Sequence, residues 1–181
     1  MENLYFIAII PPENIQNEIT LLKHEVAKHF ESSHALNSPP HITLHMPFKW
    51  KDKKLSALYQ LMNEINTGFQ PFKIELRDFD FFEPRVVFVD VVANKKLYLL
   101  QNEVVNACRK KLKLDHANYK NQAFHPHVTI GFRDLKKRLF PQVKRHFEGR
   151  EIYFEFQPTV VNLLKHTGRQ WEIVDLVEIN K

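Results

Sequence analysis

At 181 residues, with 44% hydrophobic side chains and 15 Phe, the chain is long and apolar enough for one packed domain and is not a disordered polymer. A formal charge of +5 favours anionic partners without naming one, and 4 Gly leave no room for a glycine-rich phosphate loop or a dinucleotide fingerprint. The single cysteine, Cys108, excludes an internal disulfide and any cysteine-built zinc site.

Residues 4–10 are aliphatic and aromatic and end at Pro11-Pro12, which predicts a buried strand. That run is too short for a signal peptide, and no apolar stretch reaches bilayer length. A cytoplasmic protein that touches no membrane is expected. Ile15, Ile19, Leu22, Val26 and Phe30 then recur at spacings of three and four, the period of an amphipathic helix. A loop at 37–40 leads into a strand at 41–48. Leu55, Leu58, Met62 and Ile65 predict a second helix ending near Gly68. Phe72, Ile74 and Leu76 alternate with charged residues as a half-buried strand, and the phase slips at Phe79 and Phe81, which predicts a bulge there.

Residues 86–92 are apolar on both faces apart from Asp90, as in a central strand. Leu97, Leu100, Val104, Cys108 and Leu112 mark a third helix, with Cys108 as a packing residue. A polar loop at 116–122 precedes a strand at 127–133, a short helix at 135–147, and strands at 151–156, 160–165 and 171–179. The last two are joined by a turn at His166-Thr167-Gly168-Arg169. Because the late strands follow one another directly, a largely antiparallel α+β domain is expected rather than a parallel doubly wound sheet.

Two strands open with nearly the same words. Pro40-His41-Ile42-Thr43-Leu44 is repeated 86 residues later as Pro126-His127-Val128-Thr129-Ile130. Alternate residues of a strand share a face, so each motif presents a His and a Thr together, backed by aliphatic residues on the other side. If the halves pack about an approximate twofold axis, the two pairs face one another across a cleft. Near neutral pH one imidazole can be neutral and take a proton from an attacking oxygen, while the other is protonated and gives one to the departing oxygen. The threonine hydroxyls can donate to non-bridging phosphate oxygens. This chemistry needs no metal or other cofactor. His41 and His45 are four apart, which suits a zinc pair on a helix, but the segment reads as a strand.

The motifs HITL and HVTI at this separation resemble those of the 2H phosphoesterase superfamily, and specifically the bacterial RNA 2′,3′-cyclic phosphodiesterase (2′-5′ RNA ligase) family. The opening Tyr5-Phe6-Ile7-Ala8-Ile9-Ile10-Pro11 and the later Pro84-Arg85-Val86-Val87-Phe88 are similar to that branch as well. The resemblance implies a single bilobal domain over residues 1–181 with pseudo-twofold symmetry. Two largely antiparallel sheets would line a central cleft, with helices packed outside. It implies His41, Thr43, His127 and Thr129 as the catalytic set. The implied reaction opens 2′,3′-cyclic phosphates of RNA ends or small cyclic nucleotides to 2′-phosphates, with weak reverse ligation, and the expected protein is a monomer. Cyclic or 2′-5′-linked oligonucleotides are alternative substrates, and a non-catalytic nucleotide- or RNA-binding module is the rival of another class.

Many members of that family carry Arg five residues after the second motif histidine, where this chain has Phe132. Arg133 comes next, on the strand face expected to hold His127 and Thr129. His45, one alternation beyond Thr43, is a further candidate substrate contact, as are Lys49, His125 and Arg133. Each also reads as an ordinary residue with no part in binding. Tyr5, Phe6, Trp50 and Trp171 are open between core packing and base stacking.

Overall fold

The computed structural model describes residues 1–65, 68–115, 117–118 and 122–179. Residues 66–67, at the expected end of the second helix, and 116 and 119–121 of the expected polar loop lie outside the described residues. Strand β1 (Glu2–Ile9) leads through Pro12 into helix α1 (Glu13–Phe30), whose Ile15, Ile19, Leu22, Val26 and Phe30 are all buried. A 3-10 turn at His34–Asn37, not foreseen from periodicity, precedes β2 (Ile42–Lys51). Helix α2 (Leu55–Glu64) and strands β3 (Ile74–Phe82) and β4 (Val86–Val91) come next. The expected bulge in β3 sits between Arg77 and Phe79, with Asp78 at φ 55°.

Helix α3 (Lys95–Ala107) begins where the Asn94 side chain accepts hydrogen bonds from the Lys96 and Leu97 amides, a polar cap that satisfies otherwise unpaired donors. It runs into a π-helical turn, Cys108–Leu112, which keeps Cys108 and Leu112 buried. Strand β5 (His127–Gly131), helix α4 (Phe140–Phe147), and strands β6 (Tyr153–Phe156), β7 (Val160–His166) and β8 (Trp171–Glu178) complete the chain.

The fold is α+β, with all strands antiparallel in the order β6-β3-β4-β5-β2-β1-β7-β8. Two four-stranded halves are visible in that order. They meet where β5 lies beside β2, through a single residue pair, Ile42 and Val128. The two expected sheets are therefore halves of one continuous sheet with a seam at its centre. Ile42 and Val128 are both fully buried on the face that carries α1 to α4. Burial of such a side chain contributes about 1.5–3 kcal/mol. The opposite face holds a small apolar cluster of Phe6, Ala8 and Leu164, with Ile10 and Trp171 against it, and in the other half Phe88 with Phe82.

Both motif strands carry a bulge immediately after the threonine. Thr43 pairs with Ala8 and His45 with the adjacent Ile7, so Leu44 is an extra residue in β2. Thr129 pairs with Phe88 and Gly131 with the adjacent Val87, so Ile130 is the extra residue in β5. A bulge of this kind reverses the side-chain phase beyond it. The His and Thr of each motif therefore face the open side, while the residue two places past the threonine turns inward.

Candidate active site

Around the seam, the antiparallel register puts His41 across from Thr129 and Thr43 across from His127. Ile42, Leu44, Val128 and Ile130 are buried, whereas His41, Thr43, His127 and Thr129 are half-buried on the open face. The four polar side chains thus form one quartet about the approximate twofold axis, at the cross-strand spacing of about 4.5–5.5 Å between Cα atoms where strands run side by side. Their aliphatic neighbours hold them from behind.

The two histidines are oriented in the same way. His41 Nδ1 donates to the carbonyl of Pro39 at 2.7 Å, and His127 Nδ1 donates to the carbonyl of His125 at 2.7 Å. A carbonyl only accepts, so the proton of each neutral ring sits on Nδ1 and the lone pair on Nε2. Burial pushes both rings toward the neutral form. His41 is lowered to about 4, chiefly by desolvation, with the charges of Lys23 and His127 acting in the same direction against the Pro39 hydrogen bond. His127 is lowered as well, first by desolvation and further by the charge of His125, while the His125 carbonyl hydrogen bond and then the Asp90 carboxylate work the other way.

Aromatic rings border both histidines. Phe6 lies against His41 with centroids 4.7 Å apart, and Phe88 and Phe82 lie against His127 at 4.8 and 5.1 Å. Phe6 thereby joins the site, whereas Tyr5 points into the core among the helices. Asp90 pairs with His127 across β4 and β5, and its Oδ1 is 3.1 Å from His125 Nε2.

The four candidate substrate contacts fare differently. His125 sits at the site: its carbonyl holds His127 and its ring meets Asp90. His45 does not share the face of His41 and Thr43, because the bulge at Leu44 turns it inward. It is 1% exposed, packs edge-on against Phe48 at 5.3 Å, and bonds through Nδ1 to the Met46 carbonyl. Its Nε2 has no partner among the described residues. Arg133 does not continue the face of His127 and Thr129 either. Strand β5 ends at Gly131, and Arg133 adopts a left-handed φ of 57°, with its guanidinium over the Phe132 ring at 5.6 Å and near His34 Nε2 at 3.5 Å. Lys49 is exposed at the far end of β2, 3.9 Å from Glu2.

Strand alternation alone could not reveal the aromatic collar or the two flanking charges. Asp90 did leave a mark, as the one charged residue in an apolar strand. Lys23 left one too, since it falls within the apolar stripe of α1, between Ile19 and Val26. It is 2% exposed, and its Nζ donates to the carbonyls of Ala35 and Ser38 at 3.0 and 2.8 Å, which ties down the loop that ends in Pro39. Among the described residues, no three His, Cys, Asp or Glu side chains converge as a metal-binding set, and no helix is long and apolar enough to cross a membrane.

The 2′-5′ RNA ligase superfamily matches this chain over residues 11–170. A Geobacillus kaustophilus protein named "Putative phosphoesterase GK0864" is 28% identical over 153 residues, which cover 83% of this chain and 81% of that protein. A protein named "Putative phosphoesterase BcerKBAB4_1135", from Bacillus mycoides, is 27% identical over 82% of this chain and 80% of its own length. Among solved structures, TT0787 of Thermus thermophilus superposes with a TM-score of 0.70 at 17% identity, covering 98% of both chains. LigT of E. coli, solved with 3′-AMP, superposes with a TM-score of 0.66 at 21% identity over 99% of both. These two structures speak for the fold, and the sequence match speaks for the family. The paired motifs, the eight-stranded antiparallel sheet and the match across most of the chain together show that it belongs to the 2′-5′ RNA ligase superfamily of 2H phosphoesterases.

Proposed function

We propose that the protein is a phosphodiesterase that opens 2′,3′-cyclic phosphates of RNA ends or nucleotides by acid–base catalysis between its two histidines. Membership of the superfamily supports phosphodiesterase chemistry in general. The observation that carries the finer reading is the matched orientation of the rings, each tied through Nδ1 to the carbonyl two residues earlier, with Nε2 left for proton transfer.

In this reading Nε2 of one neutral histidine takes a proton from water. The water oxygen bonds to phosphorus, the bond from phosphorus to O3′ breaks, and the other histidine, protonated, gives its proton to O3′. The product is a 2′-phosphate with a free 3′-hydroxyl. Thr43 and Thr129 donate to the non-bridging oxygens as negative charge builds there. The charges near the rings differ, and that difference supports an assignment of roles. His41, beside the Lys23 ammonium, gives up its proton more readily and is the base. His127, where the Asp90 carboxylate and the His125 carbonyl hydrogen bond work against burial and the His125 charge, is taken as the acid. An arriving anionic phosphate would stabilise the protonated form further. The nucleotide class of substrate is also in keeping with LigT, a relative in fold that was solved with 3′-AMP.

The test is an oligoribonucleotide ending in a 2′,3′-cyclic phosphate, incubated with wild type, His41→Ala and His127→Ala in excess chelator. Ring opening to a 2′-phosphate by wild type alone is the expected result. Turnover that survives both substitutions would refute the two-histidine mechanism.

A further inference from the structure

The net charge of the chain is the charge of one segment. Residues 133–150, from just past the end of β5 to just past α4, hold seven Lys and Arg against two acids. The rest of the chain holds 19 of each sign, so the whole +5 resides here. The fold does not call for that concentration. In the other half the same succession follows the motif strand: β2, a 3-10 turn at Asp52–Lys54, then α2. Residues 51–64 there hold three lysines against Asp52 and Glu64. Beyond β5 a 3-10 turn at Lys137–Leu139 runs into α4 in the same way. Like charges along one helix repel and cost stability, so their collection on one of two matched segments points to an anionic partner.

Three of the seven cations are neutralised within the protein. Lys136 is paired with Glu31, Lys144 with Glu83 at 2.9 Å and Arg150 with Glu25 at 2.6 Å. Lys137, Arg138 and Arg145 are exposed and form no ion pair among the described residues. Buried Phe140, Val143 and Phe147 fix the inner side of α4. Arg145 lies opposite them. Arg138, seven residues earlier, falls on the same outer side two turns away, roughly 11 Å along the axis.

The patch starts where the motif strand stops. Thr129 of the quartet precedes Arg133 by four residues, so their Cα atoms are at most about 14 Å apart. Asp134 fastens this stretch to the turn after α1, accepting from Ser32 Oγ at 2.7 Å and from the Ser33 and His34 amides at 2.9 Å. A stacked strand of nucleic acid rises about 3.4 Å per nucleotide. The first interval thus spans about four nucleotides, and the roughly 11 Å between the two arginines about three. A free cyclic nucleotide has no phosphate that reaches so far from the reacting one, whereas each further phosphate of a chain can be neutralised by one cation with release of counterions. An anionic lipid surface is the other polyanion to weigh. A helix that lies on lipid buries apolar side chains among the headgroups. Among the described residues of 133–150, no large hydrophobic side chain is exposed.

On the basis of the phosphodiesterase reading above, we infer that the outer face of the β5–α4 segment is an exosite for the sugar–phosphate backbone of a single-stranded RNA, held a few nucleotides upstream of its cyclic end. Lys137, Arg138 and Arg145 are its phosphate contacts. The protein therefore acts on the ends of RNA chains in preference to free cyclic nucleotides.

The experiment compares a nucleoside 2′,3′-cyclic phosphate with a short single-stranded oligoribonucleotide that ends in the same group. Steady-state kcat and KM are measured over a range of salt for wild type and for a triple variant, Lys137→Gln, Arg138→Gln and Arg145→Gln combined. In wild type at low salt we expect KM for the oligonucleotide to lie at least tenfold below that for the nucleotide. The triple variant should lose that advantage with kcat unchanged, and its constants for the nucleotide should equal those of wild type. The plot of log kcat/KM against log salt for the oligonucleotide should become shallower by about 2, as three phosphate contacts on a single strand require. Thermal unfolding verifies that the triple variant is folded; should it not be, Arg145→Gln alone should reduce the slope by about 0.7. Equal KM for the two substrates in wild type, or an equal change on both in the variant, would overturn the exosite while turnover upheld the phosphodiesterase. Phosphatidylserine vesicles are a separate probe. Vesicle binding that the triple substitution abolishes, with KM for the oligonucleotide unmoved, would make the patch a lipid surface and overturn the exosite too. If neither cyclic phosphate is opened, fluorescence anisotropy of a labelled oligoribonucleotide decides. Binding at least tenfold tighter to wild type than to the variant upholds the exosite and overturns the phosphodiesterase, and equal binding overturns both.

Discussion

The His41 and His127 halves repeat their chemistry and not their surroundings. Each has a His and a Thr on the open face, an Nδ1 bond to the carbonyl two residues back, and a bulge just past the threonine. The carbonyl belongs to Pro39 in one half and to His125 in the other, and a lysine flanks the first ring where a carboxylate flanks the second. The position turned inward by the bulge is His45 in the first half and Gly131 in the second. The lesson is that a twofold frame places the two histidine–threonine pairs, and unmatched neighbours then make one ring different from the other.

The largest effects should come from the shared parts. His41→Ala and His127→Ala should each lower kcat/KM by about 10²- to 10⁴-fold, and the double variant by less than the product of the two, because the rings act in one proton-transfer cycle. Steady-state rates on a cyclic nucleotide would check this, and an effect confined to one ring would break the symmetry of roles. Thr43→Val and Thr129→Val, which keep shape and lose a donor to the phosphate, should cost about 10²-fold in kcat with a smaller change in KM.

The pH profile sharpens the difference between the rings. In the free protein the base limb of kcat/KM should fall near pH 4, where His41 becomes protonated. The alkaline limb belongs to His127, whose pKa is held below its ordinary value, so the optimum should lie on the acid side of neutrality. Asp90→Asn removes the charge that supports the His127 proton. It should move the alkaline limb to lower pH and leave the other limb in place, and movement of both limbs together would refute the assignment of acid and base.

Smaller effects test the two inward positions. At Gly131 an added Cβ would sit 2.9 Å from Val26 Cγ1 and 3.1 Å from Val87 Cγ1, because α1 presses closely on β5 there. Gly131→Ala should therefore destabilise by about 1–3 kcal/mol in urea unfolding. His45, by contrast, fits its pocket but is kept neutral by burial. The unfolded chain can protonate it near pH ~6.5 and the folded chain cannot, so its share of stability is present at neutral pH and drains away as the pH falls. His45→Leu should flatten the loss of urea midpoint between pH 7 and pH 5. An unchanged slope would assign the loss to the other depressed rings, His34, His41 and His127.

Much of this was legible in the sequence because periodicity reports burial directly. The stripe from Ile15 to Phe30, the β3 bulge and the two motifs all lie where the residue pattern puts them. The aliphatic residues of the motifs mark the core face, and that sufficed to show the quartet on one side. Beyond Thr43 the reading failed because an inserted residue reverses alternation, and nothing in Leu44 announces that it is the extra one. His45 was misplaced on that account, and Arg133 because β5 ends at Gly131 and Arg133 itself takes a left-handed φ. Contacts that cross the sheet, such as Phe6 on His41 and Lys23 on the Pro39 loop, depend on pairings between distant segments that local patterns do not encode.

The strand order has one more consequence, in the sequence of events as the chain is made. The His127 half is drawn from residues 74–156 without a break, whereas the His41 half joins β1 and β2 to β7 and β8. A nascent chain that has reached Phe156 holds every strand of the first of these and two of the four strands of the second. The earlier motif in the chain is thus the later one to be enclosed, and the seam between Ile42 and Val128 joins a half that is already whole to one that waits for the final strands.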